Sequence, residues 1–213
     1  MSMNWKRRLL RSSALYVIID KAVLGKRPLA QTARKAVSCG GMILQLRDKA
    51  GSRREILADA QVLSRIAAEN KSVFIVNDHP DIALFSKADG VHLGQDDLPV
   101  RLVRKLLGRK MIIGVSCSNI DQAIKAQREG ADYIGIGPIF PTSTKPDTKA
   151  IGLGLVRQCC KSIRIPFFPI GGIGLGNIKK IRSQGSRQAA VCREVIAAAD
   201  VKKSVSSLSE LLI

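Results

Sequence analysis

Apolar residues along the chain fall into eight short runs, separated by longer segments in which polar and apolar residues alternate with a helical period. Most of the runs are continuously apolar, which is the pattern of parallel β-strands that are covered on both faces. The predicted strands are residues 15–19, 42–46, 73–76, 90–93, 111–115, 133–136, 165–170 and 189–192.

The segment that starts at Ser52 has the clearest helix signal in the chain. Ser52 and Glu55 match the S-x-x-E capping box, in which the two residues satisfy each other's backbone N–H groups. The segment that follows has one apolar face with helical spacing. The residues on that face are Ile56, Ala60, Leu63 and Ala67.

Two other helical segments have recognisable ends. One begins near Asn119 and ends at Gly130, and the other begins near Asn177 and ends at Gly185. Eight strand–helix units within 213 residues predict an α/β fold, a single compact (β/α)8 TIM barrel. The alternative is an open doubly wound sheet, which would bind its ligand where the strand order reverses.

Chain length and hydropathy favour one domain. At 213 residues and 46% apolar content, the chain can bury one sizeable core, so we expect a single domain over residues 1–213 with a basic lead of about residues 1–14. No apolar run approaches the roughly 18 residues that span a bilayer, and Asp20 interrupts the first run. We therefore expect no signal peptide and no membrane partner. The five cysteines are odd in number and lack a C-x-x-C spacing, which favours a reducing cytoplasm.

The chain carries a large excess of positive charge. Lys and Arg number 35 against 17 Asp and Glu, which gives a formal net charge of +18 and favours anionic partners. The basic residues are spread along the whole chain, and aromatic residues, on which bases could stack, make up 4%. Nucleic acid is thus an unlikely partner by composition, whereas phosphorylated small molecules and a merely solvated basic surface are both compatible with it.

Polar side chains follow several predicted strands, at the edge where both candidate architectures bind ligands. Gln45, Arg47 and Lys49 are two residues apart, so an extended strand places them on one side, where the two cations converge on an anion. The other strand ends supply Asn77 and Asp78, residues 94–97, Ser116, residues 137–147, residues 171–174 and Arg193.

Two acidic residues at the ends of neighbouring strands, Asp78 and Asp97, suggest a divalent cation. Mg²⁺ is commonly held by one or two carboxylates while substrate phosphates complete its coordination shell, and pyrophosphate would satisfy both the metal and the nearby cations. The alternative is that both residues belong to turns or helix caps, since NDHP and GQDDLP also resemble turn sequences.

The stretch FPTSTKPD, residues 140–147, places three hydroxyls and one ammonium between prolines directly after the sixth predicted strand. Thr142 and Thr144 can hydrogen-bond a phosphate, and Lys145 supplies positive charge. The glycine-rich end of the seventh strand, residues 171–174, lies on the same rim and offers backbone N–H groups to a phosphate. The residues therefore predict a barrel with two anion sites, one of them assisted by a metal.

Six blocks of the chain resemble the thiamine phosphate synthase family, in order and at appropriate spacing. The most specific are GADYIGIGPIFPTSTKPD (130–147) and DGVHLGQDD (89–97). The resemblance extends from about residue 15 to the last helix. The remaining blocks are QLRDK (45–49), VND (76–78), IIGVS (112–116) and PIGGI (169–173).

The resemblance implies the (β/α)8 fold and a transferase of thiamine biosynthesis. Such an enzyme displaces pyrophosphate from hydroxymethylpyrimidine pyrophosphate with the ring nitrogen of a thiazole phosphate, and gives thiamine phosphate. The family is described as reacting by ionisation, in which pyrophosphate leaves first. The resemblance implies Mg²⁺ as cofactor, bound by Asp78 and Asp97. It implies a catalytic set of Arg47, Lys49, Ser116 and Lys145.

The substrate-binding residues follow from the same resemblance. The pyrimidine pyrophosphate would be bound by the stretch from Gln45 through Leu46, Arg47 and Asp48 to Lys49, and by Asn77, Ser116 and Lys145. The thiazole phosphate, or its carboxylated form, would be bound by Thr142, Ser143, Thr144, Gly172, Cys192 and Arg193.

The eighth strand departs from the family pattern. The family usually reads like Gly-Val-Ala-Val-Val-Ser-Ala-Ile there, and in this chain Arg193 stands where the Ser is expected and is followed by Glu194. If only backbone groups bind the phosphate, the site survives and Arg193 adds a charge-assisted contact. If small size matters, the two long side chains crowd the site.

Two alternatives to the synthase are open on the same fold. Thiazole tautomerases use a histidine near the end of the fifth strand, where this chain has Ser116 and Cys117; its two histidines are His79 and His92. The other alternative is a protein that binds phosphorylated ligands without catalysis. A homo-oligomer is possible with either.

Overall fold

The computed structural model describes residues 4–143 and 149–213. Within these residues eight parallel strands form one sheet in the order β7-β6-β5-β4-β3-β2-β1-β8, and β7 lies beside β8. The sheet therefore closes into the predicted TIM barrel, and the alternative of an open doubly wound sheet is wrong. The strands are β1 (Leu15–Asp20), β2 (Ile43–Arg47), β3 (Val73–Asn77), β4 (Gly90–Leu93), β5 (Ile112–Cys117), β6 (Tyr133–Ile136), β7 (Phe167–Pro169) and β8 (Ala189–Val191).

Helices alternate with the strands and cover the outside of the barrel. They are α1 (Asn4–Ser12), α2 (Lys21–Leu24), α3 (Leu29–Val37), α4 (Arg53–Glu69), α5 (Pro80–Phe85), α6 (Val100–Leu107), α7 (Ile120–Arg128), α8 (Gly154–Ser162), α9 (Ile178–Arg182), α10 (Arg193–Ile196) and α11 (Val201–Glu210). Among the described residues no helix has the length and apolar character needed to cross a bilayer.

Side chains of the strands alternate between two apolar layers. Along β2, Leu44 and Leu46 pack outward against the helices, while Ile43 packs into the barrel interior. Gln45 and Arg47, two and four residues after Ile43, point to the same interior side. The inward positions of β2 are therefore apolar at the start of the strand and polar toward its end, at the barrel mouth. The interior layer consists of Leu10, Tyr16, Ile18, Ile43, Val73, Ile75, Ile112, Tyr133, Phe168 and Ala190.

Helix α1 lies within the basic lead and closes the amino ends of the strands. Its Leu10 is buried as part of the interior layer, while Lys6 forms an ion pair with Asp89. Arg7 forms a second ion pair with Asp132, with 3.0 Å between Nε and Oδ1. Part of the basic charge of the lead is thus used to attach this helix, and the opposite end of the barrel is left open.

The predicted helix ends agree with the structure. Ser52 and Glu55 form the complete capping box of α4, and Asn119 caps α7 by accepting a hydrogen bond from the Gln122 N–H (2.9 Å). Gly130 follows α7 with φ 93° and Gly185 follows α9 with φ 101°, conformations that glycine adopts at low cost.

Candidate active site

A cavity of about 810 Å³ opens at the carboxyl ends of the strands. Its volume falls within the range of small-molecule sites, and it is the mouth that a TIM barrel uses for catalysis. Most residues predicted for the site line this cavity. They are Gln45, Arg47, Lys49, Asn77, Asp78, Asp97, Ser116, Thr142, Ser143, Gly172, Cys192 and Arg193.

Two residues of the expected substrate-binding set lie elsewhere. The Leu46 side chain is 1% exposed in the outer apolar layer, because it alternates with Gln45 and Arg47. The Asp48 carboxylate accepts hydrogen bonds from the N–H groups of Ala50 (3.0 Å) and Gly51 (2.8 Å), and it faces a neighbouring depression. Thr144 and Lys145, which were also predicted for the site, lie outside the described residues.

Gln45 is buried with one hydrogen-bonding group unused. The residue is 2% exposed, and its Nε2 has no hydrogen-bond partner. A buried amide without a partner loses the free energy of a hydrogen bond to water. Since Gln45 lines the cavity, a ligand with an acceptor atom would remove this cost.

Arg47 is held by a carboxylate that was not predicted for the site. Asp20, at the end of β1, is 2% exposed and forms an ion pair with Nη1 of Arg47. The same carboxylate caps α2 by accepting from the Ala22 N–H (3.0 Å). The sequence carried a usable signal, because Asp20 directly follows the first apolar run, at the same edge of the sheet as the predicted Asp78. This contact fixes the guanidinium at the wall of the cavity.

Asp78 and Asp97 lie close together at the ends of neighbouring strands. Asp78 has φ 63°, and the His79 N–H donates to the Asn77 carbonyl (2.9 Å), so the chain turns sharply there. The Lys49 ammonium forms an ion pair with Asp78. Asp97 accepts from the Gly94 N–H (2.6 Å). Neither Asp occupies a helix-cap position, although Asp97 does stabilise its own turn.

The two carboxylates differ in their affinity for a proton. Burial raises the pKa of Asp78, but the hydrogen bond and the charge of Lys49 outweigh burial and hold that pKa below the usual value. Burial also raises the pKa of Asp97, and the neighbouring Asp78 carboxylate adds to the rise, so the net shift is upward despite the hydrogen bond from Gly94. Two carboxylates in contact favour either a shared proton or a cation.

The cavity lining is acidic although the chain is basic. Within the described part of the chain, five carboxylates and three cations line the cavity. A pyrophosphate needs additional positive charge in such a site, and paired carboxylate oxygens are ligands that Mg²⁺ accepts. Among these described residues no group of three or more His, Cys, Asp or Glu side chains has metal-site geometry. The donor set fits Mg²⁺.

A buried hydrogen-bonded chain holds Ser116 in the cavity wall. Its Oγ lies 2.9 Å from Nε2 of His92, whose Nδ1 lies 2.9 Å from the Tyr133 hydroxyl. The Tyr133 hydroxyl is in turn 2.8 Å from that of Tyr16. Burial raises the pKa of both tyrosines, so the phenols stay neutral. Both ring nitrogens of His92 therefore have partners, as expected for a core histidine, and the ring also lines the cavity.

The loops after β6 and β7 run side by side. The Ile139 N–H donates to the Ile170 carbonyl (2.8 Å), and the Phe140 N–H donates to the Gly171 carbonyl (3.1 Å). Gly172, with φ 61°, lies against the Pro141 carbonyl so closely that a Cβ would overlap it. This pairing brings Thr142 and Gly172 to one side of the cavity.

The residues after β8 differ from one another in exposure. Cys192 is half-buried, and burial raises the pKa of its thiol to about 12, so the thiol stays protonated. Arg193 is exposed at the cavity edge. The Glu194 carboxylate turns toward the loop after β7, where it accepts from the Leu175 N–H (3.2 Å).

The histidines do not match the tautomerase alternative. The end of β5 carries Ser116 and Cys117, whereas His92 lies on β4 and His79 precedes α5.

The family described as thiamine monophosphate synthase matches residues 15–195. Thiamine-phosphate synthase of Coprothermobacter proteolyticus is 40% identical over 207 residues, which cover 97% of this chain and 98% of that protein. Thiamine-phosphate synthase of Shouchella clausii is 42% identical over 195 residues, with coverages of 91% and 93%. The structure of thiamine phosphate pyrophosphorylase from Pyrococcus furiosus superposes with a TM-score of 0.86 at 33% identity and covers 97% of this chain and 96% of that one. The chain belongs to the thiamine monophosphate synthase family of transferases.

Proposed function

We propose that the barrel mouth joins a pyrimidine-methyl pyrophosphate to a thiazole phosphate and releases pyrophosphate, giving thiamine phosphate. One observation carries this proposal. A single cavity contains a buried unpartnered amide, two cations held by carboxylates, and a pair of adjacent carboxylates. The names of the relatives support the same reaction.

The inner part of the cavity would bind the pyrimidine ring. Gln45 presents its unused N–H group there, and an aromatic ring nitrogen is a suitable acceptor for it. Asn77 and Ser116 line the same region from neighbouring strands. The hydrogen bond with His92 restricts the Ser116 hydroxyl. The pocket is therefore partly organised before the substrate binds.

The pyrophosphate would lie at the outer end of β2 and β3. Arg47 and Lys49 supply positive charge, and Lys145, from the loop after β6, would add a third cation. Asp78 and Asp97 would hold Mg²⁺, which when bound supplies further positive charge beside the leaving group. Lys49 pairs with Asp78 in the structure, so its ammonium is already positioned at the same carboxylate.

The thiazole phosphate would lie across the cavity, at the paired loops after β6 and β7. Thr142 and Gly172 line that side, together with Ser143, Cys192 and Arg193, and Thr144 is proposed to join them. Hydroxyls and backbone N–H groups suit a phosphate, because they donate hydrogen bonds to its oxygens.

The chemistry requires no nucleophile from the protein. The bond between the pyrimidine methylene carbon and the pyrophosphate oxygen breaks, and the electron pair leaves with pyrophosphate. The lone pair of the thiazole ring nitrogen then forms the new carbon–nitrogen bond, with no proton transferred. Catalysis would consist of stabilising negative charge on the leaving group and holding both reactants in one cavity.

The proposal is tested by measuring thiamine phosphate and pyrophosphate after incubating the purified protein with both substrates, with Mg²⁺ or with a chelator. We expect product only with Mg²⁺ and its loss, by at least about 100-fold, in Asp78→Asn. Asp81→Asn is the matched control, because Asp81 is exposed and pairs with Arg53 outside the cavity.

Two outcomes would contradict the proposal. Product formed equally well in chelator would show that the reaction does not need a divalent cation. Binding of both substrates without any product would favour the alternative of a non-catalytic phosphate-binding protein.

A further inference from the structure

A carboxylate of the protein itself, that of Glu194, contacts the loop after β7. The Glu194 carboxylate accepts a hydrogen bond from the Leu175 N–H (3.2 Å between N and Oε1). Its other oxygen lies against Gly174, where a Cβ would come within 2.7 Å of Oε2. The carboxylate therefore rests on the backbone of this loop, in space that is open only because residue 174 is a glycine.

The same loop is organised by a second side chain. Asn177 accepts from the Gly174 N–H (3.0 Å), and its Nδ2 donates to the Gly172 carbonyl (2.8 Å). Side chains of the protein thus occupy the N–H groups of both Gly174 and Leu175. An incoming phosphate must either bind the remaining N–H groups beside a carboxylate or displace Glu194.

Arg193 gives Glu194 a neighbour of opposite charge. Both side chains line the cavity, and within the part of the chain that the structure describes no ion pair involves Arg193. Arg193 is exposed, whereas Glu194 is half-buried against the loop. The carboxylate is the group that accepts a hydrogen bond from the loop, at the Leu175 N–H.

We propose that Glu194 is a specificity-determining residue that competes with the acceptor phosphate for the loop at Gly174 and Leu175. The proposal rests on the proposed function, since it takes the phosphate of the acceptor to bind at this loop. Its consequence is a weak preference for phosphorylated acceptors, because the Glu194 carboxylate would repel a phosphate dianion bound beside it at this loop. An acceptor that ends in a neutral hydroxyl avoids that repulsion.

The test compares two substitutions of Glu194. Glu194→Gln keeps an oxygen that can accept from Leu175 and removes the charge, whereas Glu194→Ala removes the side chain. We expect both to lower the KM for the thiazole phosphate by about 5- to 10-fold at saturating pyrimidine pyrophosphate, as the loss of one charge at a partly exposed site would do. The KM for the pyrimidine pyrophosphate and that for the unphosphorylated thiazole alcohol should stay unchanged.

Glu210→Gln is the matched control. Glu210 is exposed at the end of α11, so this change alters the net charge equally without contacting the loop. It should leave all three KM values as they are. Raising the salt concentration should narrow the difference between the unaltered protein and Glu194→Gln, because the repulsion is screened.

A second readout does not depend on turnover. Inorganic phosphate is titrated calorimetrically into each protein while Mg²⁺ and saturating pyrophosphate fill the other anion site. Tighter phosphate binding in both Glu194 variants supports the competition. Unchanged or weaker binding, or no phosphate binding in any variant, overturns it. Absence of thiamine phosphate from every variant would instead reject the proposed function, and the titration would still decide the role of Glu194.

Discussion

The folded protein leaves the side-chain amide of Gln45 without one hydrogen bond. Its Nε2 is buried without a partner, and such a group costs about 1–3 kcal/mol relative to one that is hydrogen-bonded. We expect Gln45→Met, which has a similar shape and no polar group, to raise the free energy of unfolding by about 1 kcal/mol. The same change should raise the KM for the pyrimidine pyrophosphate at least about 10-fold. Urea denaturation and initial rates measure the two effects.

A buried glutamine without a ligand role would behave differently. In that case Gln45→Met would change the unfolding free energy and leave the KM for the pyrimidine pyrophosphate where it was. Thr32→Val is a suitable comparison, because Thr32 is also buried and polar but lies on α3, away from the cavity.

Individual site residues were predictable where alternation along a strand decided their direction. Gln45 and Arg47 follow Ile43 at intervals of two, so all three side chains point into the barrel. Asp20 obeys the same logic at the end of β1, yet nothing in its sequence neighbourhood indicates that its partner is Arg47, 27 positions later. That pairing depends on the register between β1 and β2, in which Asp20 lies beside Arg47.

At the scale of elements, the capping box of α4 leads to a prediction about how the free energy of unfolding depends on pH. The hydrogen bond from the Ser52 hydroxyl, followed by that from its backbone N–H, lowers the pKa of Glu55. Because the pKa of Glu55 is lower in the folded than in the unfolded protein, the ionised carboxylate adds stability at pH values above the unfolded pKa. This added stability disappears as the pH falls through the folded pKa of Glu55.

We therefore expect the effect of Ser52→Ala to depend on pH. Loss of the Ser52 cap should cost about 1 kcal/mol at pH 7. The difference in unfolding free energy between Ser52→Ala and the unaltered protein should shrink as the pH is lowered toward about 3. Ser162→Ala, an exposed position at the end of α8, should show no such trend in parallel urea titrations. A Ser52→Ala effect that is constant with pH would contradict the role of the carboxylate.

The packing of β5 on β6 makes a second prediction at this scale. Gly114 lies where an added Cβ would overlap the ring and hydroxyl of Tyr133, which is fully buried. Gly114→Ala should therefore lower the unfolding free energy by about 2 kcal/mol. Gly154→Ala, at the start of α8 with open space around it, should be neutral or slightly stabilising. Equal effects of the two substitutions in urea denaturation would show that Tyr133 moves aside easily.

Elements were predicted best where a capping residue marks an end, as Ser52 does for α4, and less well from apolar runs alone. The seventh run suggested residues 165–170, whereas β7 spans only Phe167–Pro169, because a run of apolar residues does not show where pairing with β6 stops. The basic lead was not predicted to be helical, and α1 is attached through ion pairs with Asp89 and Asp132, which are distant in sequence. Such long-range contacts are invisible to local periodicity.

For the whole molecule, strand count and order decided the fold. Eight runs with a continuous apolar character predicted the barrel, and the contact between β7 and β8, the two ends of the strand order, excludes the open sheet. The distribution of charge was not predictable in the same way. A net charge of +18 suggests a basic site, yet the described lining of the cavity carries five carboxylates against three cations. Composition gives the sum of charges, and only the fold shows where they lie.

This distribution leads to a prediction about metal removal. If the bulk charge attracted the leaving group, pyrophosphate would bind equally well with and without a divalent cation. Because the lining is acidic, we expect the affinity for pyrophosphate to fall by at least about 10-fold in chelator, as measured by calorimetry at constant ionic strength. Asp97→Asn removes one carboxylate from the lining, so it should weaken binding with Mg²⁺ and strengthen it in chelator. If Asp97→Asn weakened binding in both conditions, the carboxylate would be organising the loop from Gly94 rather than holding a cation.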